Sequence, residues 1–134
     1  MCFTKFLYKI LRFKTKKIKL GKKTINVLIA DSFFKQMLGL MHRTSLGKDQ
    51  GMLFIFGIPS KYGIWMLNMK FSIDIIWIDN NFKITDFLEN VKPCKSLFSC
   101  KTFYPKTSSK YVLEVNSGFI KNNKITKSTK ISLI

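Results

Sequence analysis

Short runs of β-branched and aromatic residues, separated by turn-forming residues, recur along this chain of 134 residues. This pattern is typical of strands, which we predict over residues 24–30, 52–58, 64–68, 73–79, 82–91, 111–115 and 131–134. The run 52–58 is apolar at both odd- and even-numbered positions, which predicts a strand buried on both faces. Many short strands in a chain of single-domain length predict an all-β sandwich or barrel.

Helix and turn signals complete the pattern. Asp31 and Ser32 can cap a short helix over about 33–39 that ends at Gly39. The pair Asn80–Asn81 predicts a tight hairpin turn, because Asn tolerates positive φ. Further turns are predicted at Gly118 and at 122–123, with a loop over 92–110. The fold class is therefore mainly β, with one or two short helices.

The first 20 residues form a basic segment that we separate from a single β-rich domain over 21–134. Its apolar residues follow the spacing of one helix face, namely Phe3, Phe6, Leu7, Ile10 and Leu11. Two interpretations remain open. A basic amphipathic helix could lie on an anionic membrane, or a terminal helix or strand could pack its apolar face on the domain. We favour packing, because a nine-residue helix buries little surface in a bilayer.

The chain is strongly basic, with a net charge of +17. Of 24 basic residues, 22 are Lys, and Lys, Ile, Asn and Phe are all abundant, as AT-rich codons would produce. We favour this compositional origin over a dedicated anionic partner, since net charge reports on solubility and non-specific binding. Either origin predicts non-specific polyanion binding at low salt that weakens as salt rises.

Three cysteines and a single histidine restrict the chemistry. Cys94 and Cys100 could bridge a loop in an oxidising compartment, but free thiols in a reducing cytosol are expected. One histidine, His42, makes a structural zinc site improbable, and no cofactor is predicted. Neither a membrane span nor a signal peptide is evident, so we predict a cytoplasmic protein, with a peripheral position at the membrane as the alternative.

Five motifs in the centre of the chain occur together in a fixed order. They are Gly39-Leu40-Met41-x-Arg43-x-x-Leu46, Asp49-x-Gly51-Met52-Leu53-Phe54-x-Phe56, Trp65-Met66-x-Asn68, Ile73-Asp74 with Asp79, and Tyr111-Val112-Leu113-Glu114-Val115-x-x-Gly118. In this order and spacing they closely resemble the family called domain of unknown function 192, over about residues 24–134. The resemblance implies a compact, jelly-roll-like β fold and no established function.

Polar residues within these apolar motifs are the candidates for a site. Arg43 is one of two Arg in a Lys-rich chain, which suggests a need for its planar guanidinium. Asp74 and Glu114 lie in apolar strands, where a carboxylate either faces solvent or is buried with a partner. We hypothesise that Arg43 pairs with Asp74 or Glu114, and that Asn68 and Trp65 line the same cavity.

Two meanings of this cluster remain open: a buried ion pair that fixes the fold, or a cleft for a small polar or anionic ligand or a protein partner. We adopt the cleft, formed by Arg43, Trp65, Asn68, Asp74 and Glu114. The alternative is peripheral association of the Lys-rich surface and the N-terminal segment with anionic membrane or nucleic acid. Two carboxylates could serve acid–base chemistry, but no catalytic motif is present. No signature of specific nucleic-acid recognition occurs either.

Overall fold

The computed structural model describes residues 2–134, with side chains from Lys5 onward. The nine strands of this part are β1 (Thr15–Leu20), β2 (Lys23–Ala30), β3 (Gln50–Ser60), β4 (Ile64–Trp65), β5 (Ile73–Ile78), β6 (Ile84–Val91), β7 (Thr102–Phe103), β8 (Ser109–Asn116) and β9 (Ile131–Leu133). Its helices are α1 (Cys2–Leu11), α2 (Phe33–Leu38), α3 (Phe119–Asn122) and a 3-10 turn (Leu97–Ser99).

Seven of these strands form one sheet in the order β6-β5-β8-β3-β2-β1-β9, and β4 pairs separately with β7. Neighbours in the large sheet are antiparallel, except for β2 and β3, which are parallel and joined by a connection that contains α2. The sheet curls into a half-barrel. The mainly β fold with short helices that the sequence predicts is thus confirmed.

Both faces of the sheet are buried, because successive residues of the central strands, which point to opposite faces, are apolar. The face that we call the α3 face packs Ile76 and Leu113 against Phe119 of α3. The opposite face, the α2 face, packs Trp77 and Val112 under the segment that follows α2. Each fully buried large apolar side chain contributes about 1.5–3 kcal/mol, so the two cores stabilise a sheet whose longest strand, β3, lies at its centre.

Local details differ from the sequence predictions. In β3, burial on both faces is limited to residues 51–54, and Ile58 is 75% exposed. Residues 64–68 form a strand only over β4, because the chain then turns at Asn68, which has a φ of 59°. In the β5–β6 turn the residue with positive φ is Phe82, not an Asn. Asp79 fixes this turn by accepting hydrogen bonds from two backbone amides.

The N-terminal segment divides into two parts. Residues 15–20, which the sequence analysis assigned to a basic arm, form β1 and pair with β2 and β9. Residues 2–11 form α1, although the side chain of Phe3 in its predicted apolar face lies outside the described part. No helix within residues 2–134 is long and apolar enough to cross a membrane.

The expectation of free thiols at Cys94 and Cys100 is wrong in the structure, where the two residues form a disulfide. The bond closes the loop that contains the 3-10 turn. Its formation follows from the chain path, because the turn at 97–99 brings the two Cα atoms to 5.0 Å.

Candidate functional site

A cavity of about 350 Å³ opens on the α2 face. One wall is α2 with residues 40–41, which follow it in the chain. A second wall is the C-terminal half of β3, and a third is β4 with the turn that precedes it. Its lining is predominantly apolar and aromatic: Phe33, Gln36, Met37, Leu38, Leu40, Met41, Phe54, Phe56, Tyr62, Gly63, Ile64, Trp65, Met69 and Glu114. A mainly apolar hollow of this size with few polar groups is typical of small-molecule sites.

Glu114 is the only acidic residue among those lining residues. It lies in β8 opposite Met52 of β3 and Ile75 of β5, both of which belong to the core of the α2 face. Its side chain is 5% exposed and forms no hydrogen bond or salt bridge with any residue that the structure describes. Burial raises the pKa of Glu114 to about 8, so the carboxyl group is mostly protonated at neutral pH.

The mouth of the cavity is formed by exposed apolar side chains. Phe33 and Met37 of α2 are 68% and 57% exposed, and Trp65 of β4 is 43% exposed. The short helix is held at its ends as the sequence predicts: the Ser32 side chain accepts from the third amide, and Gly39 ends the helix at positive φ. Because all of α2 remains at least partly exposed, Phe33, Met37 and Leu38 border the cavity instead of completing the core.

The far wall consists of stacked aromatic rings. Phe56 and Tyr62 stack with centroids 3.6 Å apart, and Phe54 lies 6.4 Å beyond Phe56. Gly63 follows Tyr62, and a Cβ atom there would come within 2.6 Å of the Tyr104 ring. The glycine therefore allows the loop after β7 to pack closely behind this wall.

Tyr8 of α1 packs beside the site, which ties the N-terminal helix to the domain. Its hydroxyl donates a hydrogen bond to the Gly39 carbonyl, and the Arg43 guanidinium lies 4.9 Å from the centre of its ring. Burial raises the pKa of Tyr8 to about 12, with the charge of Arg43 opposing the rise and that of Glu114 adding to it. The phenol is thus neutral, and it was not among the residues selected from the sequence.

Arg43 does not form the predicted ion pair. Among the described residues it forms no salt bridge with Asp74 or Glu114, and it lines a separate depression of about 80 Å³ beside Leu46 and Gly51. Its position over the Tyr8 ring is a cation–π contact, worth about 0.5–1 kcal/mol where exposed. Arg43 therefore anchors α1 next to the cavity instead of neutralising a buried acid.

Asp74 lies on the other face of the sheet. It is fully buried opposite Val115, and its two carboxylate oxygens accept hydrogen bonds from the amides of Asn90 at 2.8 Å and Ile120 at 2.9 Å. Ile120 is in the first turn of α3, so Asp74 caps that helix from the sheet. Its grouping with Glu114 is wrong, and the pair cannot act on one substrate as an acid and a base.

Asn68 lies at the turn after β4 and is exposed. Its side-chain amide nitrogen is 3.9 Å from the sulfur of Met41, and its backbone carbonyl accepts a hydrogen bond from the backbone amide of His42. Of the five residues selected from the sequence, the structure therefore brings Trp65 and Glu114 into one cavity and leaves Asn68 beside it. No group of three or more His, Cys, Asp or Glu that could hold a metal ion occurs among residues 2–134.

The chain matches known proteins over most of its length. The DUF192 family model, described as uncharacterized ACR, matches residues 15–133. A UPF0127 protein of Thermococcus gammatolerans is 28% identical over 109 residues, covering 80% of this chain and 65% of the relative. A UPF0127 protein of Pyrococcus horikoshii is 32% identical over 97 residues, covering 69% of this chain and 73% of the relative. The chain spans slightly less than two thirds of the length of the Thermococcus gammatolerans relative and of a further one from Thermococcus kodakarensis.

Two crystal structures are similar in fold. One is a Sinorhizobium meliloti protein whose name proposes a transcription regulator, with a TM-score of 0.83, 25% identity and coverage of 90% of this chain and 95% of that one. The other is a protein of unknown function from Novosphingobium aromaticivorans, with a TM-score of 0.82, 22% identity and coverage of 90% and 86%. Both support the half-barrel architecture described above.

Proposed function

This chain belongs to the DUF192 family, and we propose that it binds a small, mainly apolar molecule carrying one hydrogen-bond acceptor, in the cavity on the α2 face. The observation that carries the proposal is the carboxyl group of Glu114. It is buried, it lines an open cavity, and it has no hydrogen-bonding partner among the described residues.

Among the described residues, Ser109 Oγ is the only fully buried side-chain oxygen or nitrogen without a partner, so the Glu114 oxygens reach the cavity surface and lack a protein hydrogen bond there. Fold stability does not explain a carboxyl group at this position, because its desolvation costs free energy that no protein contact offsets. Asp74 provides the contrast within the same sheet, because both of its oxygens are satisfied by backbone amides. A carboxyl group that has no partner in the protein but faces a cavity is available to a ligand. Glu114 therefore supplies the orienting contact, while the surrounding rings and methionines supply apolar surface.

The protonation state of Glu114 defines which ligand fits. With a pKa of about 8 it is mostly a neutral acid at pH 7, and a neutral carboxyl group donates one O–H hydrogen bond. The sequence predicted a small polar or anionic ligand or a protein partner. The apolar lining favours a different ligand, a molecule with a carbonyl or ether oxygen on an apolar body. Desolvation disfavours ionisation of Glu114, so an uncharged ligand is favoured over a cation.

The test uses prodan, a neutral fluorescent naphthyl ketone, together with methyl-labelled methionine in NMR spectra. Met37, Met41 and Met69 line the cavity, whereas Met52 is part of the buried core. Prodan should shift the three cavity methyl signals more than that of Met52. Its emission should shift to the blue and saturate at one molecule per chain.

The variant Glu114→Leu tests the hydrogen bond with little change in side-chain volume. It should fold at least as stably and bind prodan about tenfold more weakly, the equivalent of one hydrogen bond. The matched control is Glu89→Leu, at an exposed position of β6, which should bind like the wild type. Unchanged affinity in Glu114→Leu, or methyl shifts confined to residues outside the cavity, would refute the proposal.

A further inference from the structure

Large apolar side chains are exposed on several segments that surround the cavity mouth. They are Phe6 and Ile10 on α1, Phe33, Phe34 and Met37 on α2, Trp65 on β4, and Leu97 and Phe98 in the disulfide-closed loop. We call this set the apolar rim. Phe98 is fully exposed and Phe34 is 69% exposed, and neither lines the cavity. Most soluble surfaces carry such side chains singly, so their grouping requires an explanation.

The segments of the apolar rim are neighbours in space. The hydroxyl of Tyr8 in α1 donates a hydrogen bond to the carbonyl of Gly39, which ends α2. The Lys35 amine of α2 lies 5.8 Å from the centre of the ring of Phe13, just after α1. The side chains of α2 and Trp65 share the cavity mouth. Trp65 pairs in turn with Thr102, just beyond the disulfide-closed loop. These contacts link the segments that carry the rim, and three of its side chains, Phe33, Met37 and Trp65, line one cavity.

The charge of the segments around the apolar rim is predominantly positive. Residues 1–30 contain nine basic and no acidic residues, and residues 91–113 contain five Lys and no acidic residue. Of these basic residues, Lys23 is paired with Asp49 at 2.6 Å. The nearest acid to α2 in sequence, Asp31, lies 3.4 Å from the Lys35 amine and is partly neutralised by it. Exposed apolar side chains flanked mainly by cations complement an anionic surface with an apolar interior.

We propose that the apolar rim and its flanking lysines dock this protein on an anionic lipid bilayer. Apolar side chains enter the boundary between headgroups and acyl chains, and each nearby Lys adds about 1 kcal/mol of attraction to an anionic leaflet. The cations are nearly all Lys, which protein–protein interfaces deplete. Five of the eight rim side chains are aromatic and could stack on bases, but Ile10, Met37 and Leu97 could not, and only two of the 24 basic residues are Arg. This balance favours a bilayer over nucleic acid as the occupant.

The test measures co-sedimentation with vesicles of phosphatidylcholine, with and without about 30% phosphatidylserine. The variant Phe34→Ser/Phe98→Ser removes two exposed rings and leaves the cavity lining intact. Ile134→Ser is the matched control, because Ile134 is 70% exposed and lies after β9, outside the apolar rim. Thermal unfolding and prodan binding of each variant report on fold and cavity independently of the vesicles.

We expect the wild type to prefer the anionic vesicles and the double variant to partition about tenfold less, with Ile134→Ser and prodan binding unchanged. Equal vesicle binding by the double variant and the wild type would overturn the proposal, because charge alone would then account for association. Binding of an oligothymidylate, a single-stranded DNA, is measured for the same variants as a second polyanion. If the double substitution weakens its binding as much as that of the vesicles, the rim is a nucleic-acid surface and the bilayer proposal also fails.

Discussion

The buried carboxyl group of Glu114 should make the stability of this protein fall as pH rises. Its pKa is about 8 in the folded chain and has the ordinary value of 4.5 in the unfolded chain. Between these values the folded state binds more protons than the unfolded state, so the free energy of unfolding decreases with increasing pH. The stabilisation is complete below pH 4.5 and is lost as pH rises through 8.

The full difference between the two pKa values corresponds to about 5 kcal/mol, of which about 3 kcal/mol falls between pH 6 and pH 9. Glu114→Gln removes this titration and keeps the shape of the side chain. For a domain of this size, about 3 kcal/mol corresponds to a change in Tm of about 10 °C. The Tm of the variant relative to the wild type should therefore rise by that amount from pH 6 to pH 9.

Thermal unfolding followed by circular dichroism at several pH values is the assay. Glu89→Gln is the matched control, since it makes the same chemical change at an exposed position of β6 and should leave the pH profile of the wild type unchanged. Parallel profiles for wild type and Glu114→Gln would refute the reasoning. They would mean that water or a rearranged neighbour solvates Glu114 in the folded state.

Two further predictions concern the groups that hold the sheet and loop in place. Asp74→Asn should lower the free energy of unfolding by about 3 kcal/mol, because an amide nitrogen replaces one of the oxygens that accept from Asn90 and Ile120, and denaturant titration would measure this. A loss below about 1 kcal/mol would show that these bonds contribute little. Joint replacement of Cys94 and Cys100 by Ser should cost about 2 kcal/mol through the loss of a short closed loop. Mass spectrometry should show a gain of about 2 Da on reduction of the wild type, and no gain would refute the disulfide.

Local sequence signals predicted most elements of this fold, because the forces that form them act over a few residues. The strands β1 and β7 were not predicted, since residues 15–20 were assigned to a basic arm and residues 102–103 to a loop. Ser32 and Gly39 lie at the two ends of a six-residue helix, where their capping chemistry requires them. The strand over 24–30 was recognised from its β-branched residues. The turn at 79–83 was placed correctly, but its positive φ falls on Phe82 because Asp79 accepts from the amides around it.

The site was predicted only in part, because strand register depends on distant pairing. Alternation along each strand shows which residues share a face within that strand, but not how β5 is aligned with β8. The observed register sets Asp74 opposite Val115, and this single fact puts Asp74 and Glu114 on opposite faces. The contributions of Tyr8 and Met37 depend on how α1 and α2 dock on the sheet, for which their short sequences carry no signal beyond amphipathic spacing.

The two buried acidic residues differ in whether the stability of the fold explains their presence. Asp74 is compensated locally, since its carboxylate satisfies two backbone amides, one of them in the first turn of α3. Glu114 lies within an apolar core and satisfies no group of the described chain, so an apolar residue of similar size would serve the fold at least as well. A residue that destabilises its own fold and borders an open cavity is best explained by what the cavity binds. If Glu114→Leu proves more stable than the wild type and weaker in binding prodan, both halves of that argument hold for the same side chain.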